Sequence, residues 1–180
     1  MELRDENGMT EREFLADYRK KRYPAPYLTA DVVLLSGGRD VLLIRRKGHP
    51  FLGCLALPGG FVNPDESARD AAVRELSEET GVTVSGDDLM EIGLFSTPGR
   101  DPRGWIVSDA FLCPIDRNAV RFRAGDDAAD ALWVPISRDG ERIVLPDGAR
   151  LAFDHEEVLR KAFLRYDLLE RSKQSVPDPQ

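Results

Sequence analysis

Residues 59–82 read GGFVNPDESARDAAVRELSEETGV, a glycine pair and a proline turn followed by a run of helical character. Ser67 is placed to cap that helix. Asp70 falls in its first turn, where the positive end of the helix dipole favours a carboxylate, and Gly81 suits the left-handed residue that closes a helix. At about 100° per residue, Glu75, Glu78 and Glu79 fall within roughly 100° of arc on one side. Like charges at these spacings repel, and Arg74 stands at the edge of the arc. Read alone, the three glutamates are either the solvated face of an acidic helix or a stripe that holds a divalent cation through oxygen ligands, which suits Mg²⁺ or Mn²⁺. The glycine-rich lead-in with its isolated Glu66 favours the cation. Ala72, Val73, Leu76 and Thr80 fill the adjacent arc and can pack the helix on a sheet, leaving the carboxylate edge open to a ligand.

The spacing Gly60, five residues, Glu66, seven residues, Arg74-Glu75-Leu76, one residue, Glu78-Glu79, one residue, Gly81-Val82 resembles the Nudix box at every fixed position. The resemblance implies an α/β fold, an α/β/α sandwich with a mixed β-sheet. It also implies a metal-dependent hydrolase that cleaves the diphosphate of a nucleoside diphosphate derivative. Glu75 and Glu79, one turn apart on one face, are the expected pair of direct metal ligands, and Glu78 is expected to hold a second metal or hydrated ions. By the same resemblance the backbone carbonyl of Gly59 completes the site, Glu66 assists the cluster and Arg74 orients the carboxylates. Taken alone, Arg74 reads as a surface ion pair worth at most about 1 kcal/mol. Many members of the family take their general base from an acidic loop outside the box. Here that loop is Gly125 to Asp130, with Asp127 the first candidate and Asp126 the second. A solvated turn whose aspartates cap backbone N–H groups is the competing reading, and Glu79 is an alternative activator of the water.

The chain has 180 residues, enough for one domain with a sizeable core. A net charge of −7 argues against a general nucleic-acid binder. No apolar run reaches the length that spans a membrane, and the acidic start MELRDENGMTE does not read as a secretory signal. Cys54 and Cys113 lie in apolar, strand-like runs and read as buried free thiols, consistent with a reducing cytoplasm.

In chain order, residues 1–26 carry a capping box at Thr10 to Glu13. The following helix has Phe14, Leu15 and Tyr18 on one face, and Lys20, Lys21 and Arg22 at its C-terminal end. Too short to stand alone, it is expected to pack on its own domain or on a second copy, so it is a candidate dimer element. The hydrolase domain is expected over residues 27–171. Tyr27 to Leu35 and Val41 to Arg46 read as a hairpin, with pleat alternation sending Arg45 and Arg46 to opposite faces. Leu89 to Phe95 and Trp105 to Pro114 read as strands, the latter with a turn partner at Val120 to Phe122, and Ala131 to Val134 as a short strand closed by Pro135. Asp154 and Glu157 have capping-box spacing, and Val158, Leu159, Ala162, Phe163, Tyr166 and Leu169 recur at helical spacing as a core stripe. Residues 172–180 read as a frayed tail, too short for an added DNA-binding winged helix.

Pro98, 16 residues beyond Val82, is similar to a marker of the ADP-ribose pyrophosphatase group. The segments FSTPGRDPRGW and Gly125 to Ala129, together with Ala152-Phe153-Asp154-His155, also resemble members that act on or sense ADP-ribose. That resemblance implies ADP-ribose as substrate and, commonly, a homodimer. Another dinucleotide, a nucleotide sugar, a nucleoside triphosphate or a non-catalytic sensor role remain the alternatives. Arg45, Arg46, Arg100 and Arg103 are candidate phosphate or stacking cations. Phe51, Tyr27 and Trp105 are candidate base platforms, and each of these side chains has an equally ordinary structural reading.

Overall fold

The computed structural model describes residues 3–120, 131–140 and 142–174. Everything is assembled on β1 (Tyr27–Ser36), whose run of apolar residues is buried on both faces. Such a strand needs cover on both sides. Along one edge β1 pairs in parallel with β6 (Ile106–Pro114), from Tyr27 to Leu35. β6 then carries β5 (Met90–Phe95) antiparallel, with a bulge between Glu91 and Gly93.

The other edge of β1 is shared between two strands. Leu35 and Ser36 open the hairpin to β2 (Asp40–Arg45), while Thr29 to Asp31 pair with β4 (Gly59–Phe61). Where one partner gives way to the other, Val32 N–H bonds the Pro58 carbonyl at 2.9 Å. β2 also pairs with β3 (Leu55–Ala56) and β7 (Ala131–Pro135). Among the described residues these strands form one mixed seven-stranded sheet, and β8 (Ser137–Asp139) with β9 (Arg142–Val144) forms a separate ribbon.

Helices cover the two faces. α2 (Ala68–Thr80) lays Ala71, Ala72 and Leu76 on Ala30, Val32, Leu34, Phe111 and Cys113. α3 (His155–Gln174) lays Val158, Leu159, Ala162 and Phe163 on Val33, Leu35, Ala110 and Leu112. Tyr166 and Leu169 extend the stripe as partly buried residues. The result is the α/β/α sandwich with a mixed sheet that the sequence implied. Cys113 is buried, and burial pushes its thiol up to about 11; Cys54 is half-buried, and both are free.

Several expectations need correction. α1 (Glu11–Tyr18) has its capping box at Thr10 and Glu13, but none of its residues is buried. Phe14, Leu15 and Tyr18 stay exposed, with Phe14 stacked on Tyr18 and Tyr18 against Tyr23. The helix ends at Tyr18, so Lys20 to Arg22 follow it rather than sit in its last turn. After β6 the chain forms a tight turn at Arg117–Ala119, capped by Asp116, so no strand begins at Val120, and residues 121 and 122 lie outside the described residues. Asp154 gives its carboxylate to Arg100, while Glu157 N–H bonds the Asp154 backbone carbonyl and the Glu157 side chain pairs with Arg160. The beginning of α3 is therefore tied to a distant loop.

Candidate active site

Ser67 caps α2 as expected, and Asp70 makes the cap reciprocal: the Asp70 N–H donates to the Ser67 side chain and the Asp70 carboxylate accepts the Ser67 N–H. Gly81 closes it in the left-handed region at φ 70°. With Ala71, Ala72 and Leu76 against the sheet, the glutamate edge turns toward β4 and the end of β2. Two glycines make that approach close. A Cβ on Gly60 would overlap the Glu75 carboxylate, and one on Gly59 would lie 2.5 Å from Asp31 Oδ1. Bulk at Gly60 would push the Glu75 carboxylate aside, and bulk at Gly59 would press on β1 at Ala30 and Asp31.

Arg74 is the hub of the shelf. Nη2 and Nε take Glu66 at 2.6 and 3.1 Å, and Nη1 takes Glu75 at 2.8 Å and Glu78 at 3.2 Å. Nη2 also reaches the Phe61 carbonyl at 3.0 Å, which ties β4 to α2. The Arg74 guanidinium and the Asn63 N–H groups hold the Glu66 carboxyl down at about 2. Glu78 is exposed, whereas Glu75 is largely covered.

Glu79 is in a different position. Its Oε2 accepts the Gly59 N–H at 2.9 Å. Burial, with Glu75 and Asp31 adding to it, pushes its carboxyl up to about 7, against the opposing pull of Gly59 N–H and Arg46. Among the described residues no three carboxylate, imidazole or thiol groups gather into a ready-made metal cage. The donor chemistry nevertheless fits a hard divalent cation. Glu75, Glu79 and the Gly59 carbonyl are all oxygen donors, and the ionised form of Glu79, disfavoured first by burial and then by Glu75 and Asp31, is one that a bound cation would favour.

The shelf opens on a cleft of about 410 Å³, lined across from Glu75, Glu78 and Glu79 by Arg45, Arg46 and Lys47. Ile44 and Arg46 also belong to a smaller hollow of about 70 Å³, whose walls include Asp31, Gly59, Phe61, Arg103, Phe153 and His155. β2 ends at Arg45, so pleat alternation does not carry through to Arg46, and both arginines line the larger cleft. Arg45 donates to the Gly53 carbonyl at 3.0 Å. Arg46 donates to the Pro50 carbonyl at 2.8 Å and lies 4.8 Å from the Phe153 ring centre. Burial lowers its pKa, with Arg103 adding to the effect.

The remaining predicted residues divide. Arg103 reaches the smaller hollow over the Phe61 and Phe153 rings and grips Asp101 through Nε and Nη2. Burial alone would raise the Asp101 carboxyl, but the bonds from Arg103 outweigh it and the net shift is downward. Arg100 lines the hollow but gives Nε and Nη2 to Asp154 at 2.8 and 2.6 Å, with 4% of its side chain exposed. It is a buried structural pair rather than an open cation. Phe51, at φ 63°, backs Phe153 edge-on at 4.8 Å. Pro98 is exposed in a turn, apart from both hollows. Tyr27 packs edge-on against Phe61, and Trp105 is exposed. Asp126 and Asp127 lie outside the described residues.

Asp31, Ser108, Phe153 and His155 were missed as site residues. Asp31 is buried within β1 and accepts from Ser108 Oγ. His155 is buried on α3, its Nδ1 accepts the Leu57 N–H at 3.0 Å, and burial lowers its pKa. For Asp31 the available signal is a charged residue inside an otherwise apolar strand; for Phe153 and His155 it is the Ala152-to-His155 segment, whose resemblance to ADP-ribose-handling members singles out no one residue.

Comparison with known proteins places this geometry. Residues 26–147 match the NUDIX domain. An ADP-ribose pyrophosphatase of Methanocaldococcus jannaschii is 39% identical over 83% of this chain and 80% of its own. An ADPR-responsive transcriptional repressor, NtrR, of Acinetobacter baylyi is 34% identical over 88% of this chain, which spans 62% of that repressor. Among solved structures, the NUDIX domain of Shewanella oneidensis NrtR complexed with ADP ribose superposes with a TM-score of 0.71 at 33% identity, covering 88% of this chain and 99% of that one. A bifunctional NMN adenylyltransferase/ADP ribose pyrophosphatase of Francisella tularensis, complexed with AMP and a Mn ion, gives 0.64 at 28% identity, over 89% of this chain and 46% of that one.

Proposed function

The chain belongs to the Nudix family of pyrophosphohydrolases, and on that premise we propose that it hydrolyses ADP-ribose to AMP and ribose 5-phosphate with Mg²⁺, Mn²⁺ being an effective substitute. The observation that carries this reading is the crowded oxygen shelf of Glu75 and Glu79 against Gly59, facing Arg46 across one cleft. Water adds to one phosphorus of the diphosphate, the bridging P–O bond breaks, and the leaving phosphate departs with its oxygen. A bound divalent cation supplies an acidified water and neutralises the charge that grows on the phosphate oxygens.

The side chains of this protein do the rest. Glu75, Glu79 and the Gly59 carbonyl hold the cation, with Glu78 and Glu66 assisting. Arg74 keeps Glu66, Glu75 and Glu78 oriented through the bonds it already makes. Arg46 and Arg45 face the diphosphate, and Arg103 and Phe153, the latter backed by Phe51, wall the adjoining hollow, where a ribose or base is received. Asp127, then Asp126, is the proposed proton acceptor, with Glu79 the alternative.

We further propose a cytoplasmic homodimer that does not bind nucleic acid, built from a hydrolase domain over 27–171 and a dimer element over 1–26; α3 runs on to Gln174, so 172–174 belong to that helix and the remainder of the expected tail lies outside the described residues. Among the described residues no helix is long and apolar enough to cross a membrane, and the exposed face of α1 asks for a partner. Similarity to the ADPR-responsive repressor favours one second reading, a protein that binds ADP-ribose without cleaving it. Purified protein with Mg²⁺ and ADP-ribose separates the two: AMP release is the expected result, and binding with no product supports the sensor. Turnover of a different nucleotide, with ADP-ribose untouched, would replace the proposed substrate.

A further inference from the structure

The buried imidazole of His155 does not touch the glutamate shelf, yet its setting is closely specified. Strand β3 ends at Ala56 and β4 begins at Gly59, so the Leu57 N–H falls between two ladders. His155 Nδ1 takes that N–H at 3.0 Å. A neutral ring that accepts at Nδ1 carries its proton on Nε2, and Nε2 faces Asp31 Oδ1 at 3.9 Å.

Leu57 leads through Pro58 to Gly59, the residue whose N–H holds Glu79 at 2.9 Å and whose flank is filled by Asp31. On the other side, neighbouring Asp154 clamps Arg100 at 2.6 Å and with it the loop that follows β5. The first turn of α3 thus joins the substrate-side loop to the backbone segment that meets the shelf. A hydrophobic residue of similar volume at 155 would pack as well, but it would leave a buried backbone donor unpaired.

We propose that His155 is a positioning residue: through Leu57 it fixes the Gly59 segment, and through Gly59 the Glu79 carboxylate, in the arrangement used for diphosphate hydrolysis. The inference rests on the hydrolase reading and adds to it a residue that acts without touching the reacting atoms.

Three substitutions separate positioning from simple packing. Asn can present Oδ1 where Nδ1 stands, whereas Gln reaches the Nε2 position and Ala reaches neither. His155→Ala and His155→Gln are expected to lower kcat about 10–100-fold with a much smaller change in KM, and His155→Asn to recover most of that loss. Two readouts do not depend on turnover. In the wild type, ¹⁵N–¹H imidazole spectra should show the proton on Nε2, with the Leu57 amide slow to exchange. In His155→Gln that amide should exchange readily, and Mn²⁺ affinity read by electron paramagnetic resonance should fall about tenfold or more.

Equal kcat in the Asn and Gln variants, a drop in Tm with kcat retained, or a wild-type proton on Nδ1 would each overturn the proposal. If His155→Ala does not fold, the Asn and Gln pair and the wild-type spectra still decide it. If the wild type hydrolyses no nucleoside diphosphate derivative, the hydrolase reading fails by itself, and the tautomer, exchange and Mn²⁺ measurements still judge His155.

Discussion

At Glu79 the carboxyl titrates at about 7 in the fold against an ordinary value of 4.5, first because it is buried and then because Glu75 and Asp31 crowd it. Below pH 4.5 the group is protonated in both folded and unfolded chains and has no effect on stability. Between 4.5 and about 7 the unfolded chain releases its proton while the folded one keeps it, so stability falls as pH rises, and the full penalty stands above about 7. Glu79→Gln should therefore stabilise the metal-free protein by about 2–3 kcal/mol at pH 8. The gain should vanish in denaturant titrations at pH 4, and the same variant should lose activity by several orders of magnitude. No stability gain would mean that Glu79 is not strained, and near-normal turnover would remove it from the metal site. Arg100 is the opposite case. Its guanidinium is committed to Asp154 with 4% exposure, so Arg100→Ala should cost about 2 kcal/mol or more in stability by leaving Asp154 unpaired. Thermal unfolding measures that cost. A raised KM with an unchanged Tm would instead restore Arg100 as an open phosphate ligand.

Elements do their work here through how closely they approach one another. The hydrophobic side of α2 sets its distance from the sheet, and Gly60 lets β4 pass directly beneath the Glu75 carboxylate. Gly60→Ala should leave the fold intact and displace Glu75, because the side chain can swing away while the β4 backbone is held in its ladder with β1. Isothermal titration with Mn²⁺ should show affinity reduced about tenfold or more while circular dichroism is unchanged. Unaltered affinity would show that Glu75 is not a ligand. The two-partner edge of β1 has a similar consequence. Because β2 and β4 divide that edge, the segment from Leu57 to Gly59 bridges two ladders, and its groups are met by side-chain and cross-strand partners, His155 and Val32 among them.

At the scale of the molecule, α1 is capped, but among the described residues nothing buries any part of it. An eight-residue helix with Phe14, Leu15 and Tyr18 exposed is unstable by itself in water, and the proposed cover is a second copy related by a twofold axis, the commonest symmetry of homo-oligomers. Sedimentation should give a species of about twice the 20.1 kDa chain mass, and removal of residues 1–26 should shift it to monomer with the hydrolase domain still folded. A monomeric full chain, or a dimer indifferent to the deletion, would release α1 from that role. Much of this protein was legible in its sequence, because local physics governs it: the Ser67 and Thr10 caps, the Gly81 terminus, the glutamate arc and the core stripe of α3 depend on residues within one or two turns of each other. Helical periodicity therefore determined the carboxylate arc, and the box spacing carried the family resemblance, which in turn implied the sandwich. Tertiary structure decided the rest. Asp31, Phe153 and His155 acquire their surroundings from partners far along the chain, as when His155 meets Leu57 across 98 residues and Arg100 meets Asp154 across 54. Residue type and periodicity carry no record of such meetings, so only packing could show that Arg100 is already spent in an ion pair and that a buried histidine stands behind Gly59.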